Sequence, residues 1–291
     1  MIMIGEEMRF NVSIMVKVVM RHLLLVDSRD RDFSFHPSAS RYVLRLPTEY
    51  RNVTAVRLRG AEVPNSFFAF SAALGNLSVG ACLADGGGAQ VGPVKAITLP
   101  EGSYDAATLA ATLQALLNAA FPGSAFSVAV EGATGRLVTQ VAAGKFAWVT
   151  SAPYASGAPN PKPWGLGYHL GFAPNAFLAG ATVTSASVVV LSACDYILLS
   201  VAEFNGLTEA GVSGGIHRAF AKFPLFRRGR SAPSETLFCD DRTLAFNETK
   251  LSPPLHRLDR LTVGWHYHGI DAPVDFNGAD HSFTLEIDAD P

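Results

Sequence analysis

The 291-residue sequence predicts an all-β-dominated fold, a single jelly-roll β-sandwich carrying a small α+β insertion. Three observations predict it. Short runs of β-branched and aromatic residues, bounded by Gly, Pro, Asn and Asp, recur along the chain. Only one stretch after residue 20 carries a helical stripe. The strand runs outside an α+β insert at about 96–186 number about eight, and eight antiparallel strands with long connections close most simply as a jelly roll.

Residues 1–21 read as an N-terminal arm or extension. The apolar run 12–20 is shorter than the roughly 20 residues that a bilayer span needs. The block VDSRDRD then alternates charge through Asp27, Arg29, Asp30, Arg31 and Asp32. A short strand follows at 41–46 and a longer one at 52–63, in which Val53, Ala55, Arg57 and Arg59 share one face by period-two alternation. Pro47 and Pro64 punctuate them, because proline cannot donate to a ladder. Phe67, Phe68 and Phe70 read as buried, 76–83 as a strand, 84–93 as a loop and 94–99 as extended chain.

The texture then changes. Residues 106–120 are rich in Ala and Leu, and Leu109, Leu113, Leu116 and Leu117 fall at i, i+4, i+7 and i+8, one helical stripe. Ser103 or Asp105 can cap it, and Phe121-Pro122-Gly123 stops it. Two strands at 126–130 and 136–141 flank a turn, and a third lies at 145–150. The organisation expected is a jelly roll from 22–95 and 187–291 with an α+β module inserted at 96–186. Later strands are expected at 187–191, 196–201, 215–223, 235–246, 258–268 and 281–288.

Composition narrows the function classes. The chain is 48% hydrophobic and only 16% charged, against a typical charged share of about 25%. A surface poor in charge fits one partly covered by partners. The net charge of −2 supplies no basic field for nucleic acid. Cys82, Cys194 and Cys239 lie far apart without a CxxC pair, which excludes a zinc ribbon or a disulfide scaffold and reads as buried thiols. No cofactor is implied.

Four constellations carry chemistry or contact. His266 and His268 share a strand face and are weak metal candidates, with His281, Asp271 or Asp280 as further ligands; otherwise they are solvent-facing residues opposite a buried Trp265 and Tyr267. No nucleophile elbow, HExxH motif or phosphate loop is present, and catalysis is not expected. Arg218, Lys222, Arg227, Arg228 and Arg230 interleave with Phe220, Phe223 and Phe226. That mix binds single-stranded nucleic acid by stacking or serves as a protein–protein hot spot, and the protein contact is preferred. The block Asp27, Arg29, Asp30, Arg31 and Asp32, taken as extended, puts arginines on one side and aspartates on the other, a pre-strand segment positioned by salt bridges at the jelly-roll base or at a seam against a neighbouring subunit. Trp164, Tyr168 and Trp265 are the stacking platforms that a carbohydrate-binding sandwich would use instead.

The order of motifs resembles structural proteins of nucleocytoplasmic large DNA viruses. LLLVDSRDRD (23–32) precedes a strand, the turn formed by Pro47, Tyr50, Asn52 and Val53, and a long strand ending in Glu62, Pro64, Asn65 and Ser66. LPEGSY (99–104), a helix, TGRL (134–137), LGF (170–172) and DFNGADHSFTLEI (275–287) follow. The resemblance covers 22–288. It implies a penton-type or minor capsid subunit on one jelly roll, without catalysis, in the virion and assembled in the host cytoplasm. Its partners would be major and minor capsid proteins and, for a penton, four further copies of itself. The extra 20 N-terminal residues depart from the pattern; an arm that clamps a neighbour is one use for them.

Overall fold

The computed structural model describes residues 20–151, 165–192, 195–204, 207–208, 218–225, 236–240, 248–267 and 273–290. In chain order the elements are β1 (Met20–Asp27), β2 (Arg41–Pro64), β3 (Ser78–Ala84), β4 (Gln90–Thr98), α1 (Ala106–Ala120), β5 (Phe126–Val130), β6 (Arg136–Val141), β7 (Lys145–Val149), α2 (Gly165–His169), β8 (Phe177–Gly180), β9 (Thr182–Val188), β10 (Tyr196–Val201), β11 (Leu207–Thr208), β12 (Arg218–Ala219), β13 (Ala221–Pro224), β14 (Thr236–Asp240), β15 (Thr249–Tyr267) and β16 (Ser282–Ala289).

The outer strands form a jelly-roll sandwich. One layer has the order β1-β16-β2-β14 and the other β2-β15-β10-β13, all pairs antiparallel. Strand β2 serves both. Its residues 55–62 lie against β16 on one side; on the other side 60–64 pair with β14 and 41–56 with β15. The chain turns between the layers at Asn52, which adopts φ 48°. Asn tolerates that left-handed conformation better than most residues, and its Nδ2 donates to Asp290 at 2.7 Å. Opposite the bend, β15 bulges between Lys250 and Leu255, the span that contains Pro253 and Pro254.

The sequence placed a turn at Pro47 between two strands; the structure has one 24-residue strand there. Arg45 pairs with Arg260 and Tyr50 with Leu258, so only Asp259 faces residues 46–49. Pro47 therefore sits in a bulge that asks for no N–H donor. A second bulge at Arg59 shifts the inward phase from Val56 and Leu58 to Ala61 and Val63. The two layers share one core that includes Tyr42, Val56, Leu58, Leu199, Val263, Trp265, Phe283 and Leu285, each at most 1% exposed. Burying each such side chain contributes about 1.5–3 kcal/mol before entropy is counted.

A second core lies between β2 and β10 in the chain. Strands β4-β3-β7-β8 and β5-β6-β9 make two small sheets, and α1 packs on β5 and β4. The helix has the expected bounds. Asp105 caps it in a reciprocal box with Thr108, and Leu109, Leu113 and Leu117 are fully buried while Leu116 is only partly so. In the LGF motif Gly171 adopts φ 80°, and a Cβ there would meet the Ser187 carbonyl oxygen at 2.2 Å, which makes glycine obligatory. The pairing of β3 with β7 moves the start of this unit back from the expected residue 96 into the 70s. The expected loop 84–93 shrinks to the Asp85–Ala89 turn, held by Ala89 N donating to Asp85 Oδ1 at 2.8 Å. Strand β8, unforeseen from the sequence, completes the sheet.

Two motifs whose bonded residues Ser66 and Phe276 are 210 positions apart close the base of the linker between the cores. Ser66 Oγ donates to the Phe276 carbonyl at 2.6 Å, and Asn277 Nδ2 donates to the Ser66 carbonyl at 2.6 Å. The EVPNS and DFNG segments are thus one junction.

Candidate assembly surface

The charge block is not an extended seam. Asp27 ends β1 and caps the 3-10 turn Ser28–Asp30 by accepting from Arg29 N. Arg29 folds back so that its Nε and Nη2 fork onto the Asp27 carboxylate at 3.0 and 2.5 Å. That hydrogen bonding holds Asp27 below the usual carboxylate range. Arg31 is buried. It donates to the carbonyls of Ser28, His36 and Pro37 at 2.6, 3.0 and 3.2 Å and to Asp280 at 2.5 Å. Burial alone would raise Asp280, but the bonds from Arg31 and Ser28 outweigh it and the net shift is downward. Asp32 accepts from Ser34 N and Oγ, which lowers it. Asp30 is exposed. The expectation of arginines on one side and aspartates on the other fails because a 3-10 turn, not a strand, carries these residues. Arg31 faces inward, so the block braces a loop of its own chain.

That loop presents Phe33 and Phe35 to solvent, Phe35 at 78% exposure, with the Arg31 guanidinium 4.2 Å from the Phe33 ring. Strand β1 presents Leu23 and Leu25 at 69% and 65%. Strand β14, which among the described residues pairs only with β2 and so ends the other side of the layer, presents Phe238 at 51%. Cross-strand pairing puts all three on one outer face, through the rows Asp27–Ser282–Glu62–Phe238 and Leu25–Thr284–Gly60–Asp240. Between the edges runs a charged ladder. Arg21 contacts Glu286 and Asp288 at 3.3 and 3.2 Å, Arg59 reaches Glu286 at 3.5 Å, and Arg57 reaches Glu248 at 3.2 Å. Sequence reasoning missed these edges, although the run Leu23-Leu24-Leu25 offered the signal of an apolar residue facing each way.

The other expected sites are dispersed. Arg227, Arg228, Arg230, Phe226, His268, Asp271 and Trp164 lie outside the described residues. Phe220 and Phe223 are buried, Phe220 against Phe204 at 5.0 Å, so neither is a platform for bases. Lys222 sits over the Tyr196 ring at 3.9 Å. His266 is half-buried on the outer face of β15, and among the described residues no three His, Cys, Asp or Glu side chains gather as a metal set. His281, named as a further ligand, is buried among Trp265, Phe276 and Tyr42. Trp265 is 1% exposed, which removes it as a sugar platform: its strand position faces the sandwich interior. Cys82 is a buried free thiol, and Cys239 is buried as well. The cleft beside Asp27, Glu62 and Asp280 has two of its carboxylates already engaged by Arg29 and Arg31.

No protein-family model matches the chain, and no curated protein matches it in sequence. Among solved structures, the mavirus penton protein is similar with a TM-score of 0.53 at 6% identity, over 94% of this chain and 100% of that one. A chain of the Sputnik virophage matches with a TM-score of 0.44 at 11% identity, over 94% and 98%. The first of these likenesses shows a shared fold that spans both cores, jelly roll and insertion together.

Proposed function

We propose that the chain is a structural subunit of an icosahedral virus shell, acting by protein–protein assembly without catalysis, and that it occupies the vertex as a penton-type subunit. The observation that carries this reading is the likeness of fold to the mavirus penton protein over the whole of that chain. The surface supports it. Leu23 and Leu25 on one edge of the layer and Phe238 on the other are exposed, and exposed apolar side chains on sheet edges mark interaction sites. The resemblance of the motif order extends the reading to the nucleocytoplasmic large DNA viruses. The partners are then major and minor capsid proteins and further copies of this chain, in a particle assembled in the host cytoplasm.

Antibody labelling of purified particles tests it. Label at the vertices is expected. Particles that lack the chain altogether would overturn the reading, and label spread between the vertices would leave a cementing minor capsid role in its place.

A further inference from the structure

The two edges of the β1-β16-β2-β14 layer fit each other. Strand β1 is the terminal strand, paired only with β16 among the described residues. Ser28 N donates to the His281 carbonyl at 2.9 Å, which continues the β1–β16 register. Even-numbered residues of β1 therefore direct their backbone groups to β16, and Arg21, Leu23, Leu25 and Asp27 direct theirs outward. The same parity carries across the layer. Asp290 N donates to the Arg51 carbonyl, so even residues of β16 face β2. Glu62 and Gly60 then face β16, and Ala61 and Val63 face β14 through Cys239 and Leu237. This leaves Thr236, Phe238 and Asp240 with outward backbone. At both edges the residues with outward backbone are those whose side chains lie on the solvent face.

We propose that β1 of one copy adds to β14 of the next as a continuous antiparallel sheet, with Leu23 opposite Phe238, Arg21 opposite Asp240 and Leu25 opposite Thr236. Two features converge on this register. It pairs outward backbone with outward backbone, and it sets apolar Leu23 against apolar Phe238. Strands β1 and β14 already run antiparallel within the layer, so copies related by rotation about a common axis meet in the sense that the pairing needs. The contact joins two different edges. It is heterologous, and a heterologous contact closes a ring when its rotation allows. Relative to the rows within one copy, the register is staggered by four residues, about 13 Å over a four-strand width of about 19 Å. A ring with that stagger has its strands tilted about 35° to the axis, as in closed sheets generally. The inference rests on the ring-forming reading for its setting and names the surfaces that make the ring.

The test is disulfide trapping in the full chain. Opposed residues at such a pair lie about 5.5 Å apart at Cα, within disulfide reach. Mixed Leu23→Cys and Phe238→Cys proteins should form an intermolecular disulfide on oxidation, and the double variant should give a covalent ladder that stops at the ring size. Neither single variant alone should cross-link beyond the wild type. Leu23→Lys, at an exposed position, should keep the wild-type circular dichroism and weaken assembly at least tenfold. A disulfide between Leu23→Cys and Leu25→Cys proteins would mean that β1 pairs with β1 and would overturn the inference. An oligomer by light scattering without the 23–238 disulfide would overturn it while leaving the ring-forming reading intact. A monomer throughout would overturn both.

Discussion

Trp265 donates its indole N–H to Nε2 of His281 at 2.9 Å in the centre of the jelly-roll core. Accepting that bond leaves the proton of the neutral ring on Nδ1, which has no hydrogen-bond partner among the described residues. Adding a second proton would put an N–H against the indole N–H. The relationship ties the aromatic strand of the WHY segment to the DHSF segment and fixes how β15 faces β16.

A pH dependence follows. Burial holds His281 down to about 4; the Ala39 carbonyl, Asp280 and Asp27 oppose that shift and Arg31 adds to it. The folded state therefore binds the proton more weakly than the unfolded chain, whose histidine titrates near 6.5. Stability is full above pH 6.5 and falls as pH drops from 6.5 towards 4, by up to about 3 kcal/mol. The lowered carboxylates Asp27, Asp32 and Asp280 lose their contributions at lower pH still, below their ordinary value of 3.8. Denaturant midpoints at pH 7.5, 6.0 and 5.0 should decline, and His281→Gln should flatten that decline. An unchanged slope in the variant would assign the decline to other groups.

Arg31 and Arg29 should behave oppositely despite their similar setting in sequence. Arg31→Ala strips a partly buried carboxylate and three carbonyls of their donor and should cost about 3 kcal/mol. Arg29 is largely exposed and among the described residues pairs only with Asp27, so Arg29→Ala should leave the melting temperature close to wild type. Thermal melts of both variants decide it. Equal destabilisation would mean that the block acts as one cooperative cluster.

Leu113 of α1 is fully buried and belongs to the second core. Leu113→Ala should cost about 2–5 kcal/mol. Hydrogen exchange should show the loss of protection in α1, β5 and β6, with β15 and β16 spared. Loss of protection in both cores together would show that they unfold as a unit.

What was legible in the sequence was what local periodicity encodes. The helix at 106–120 and the hairpin at 126–141 were found to the residue, because each is set by its own stripe, cap and turn. Non-local pairing was less legible. Nothing in 78–98 says that its partner is Lys145–Val149 and not a jelly-roll strand. Pro47 read as a stop because its bulge exists only against Asp259. Strand β1 was passed over because Leu23, Leu24 and Leu25 hide the alternation, and they do so because its outer face is apolar as well. The charge block reads as extended in the sequence because its fit to Asp280 and the carbonyls of 28–37 depends on a turn that charge alternation does not signal.

The mass of the wild-type protein by light scattering across a concentration series tests the central claim most directly. The account predicts a stable pentamer that forms without any other shell component. A monomer at every concentration would contradict it.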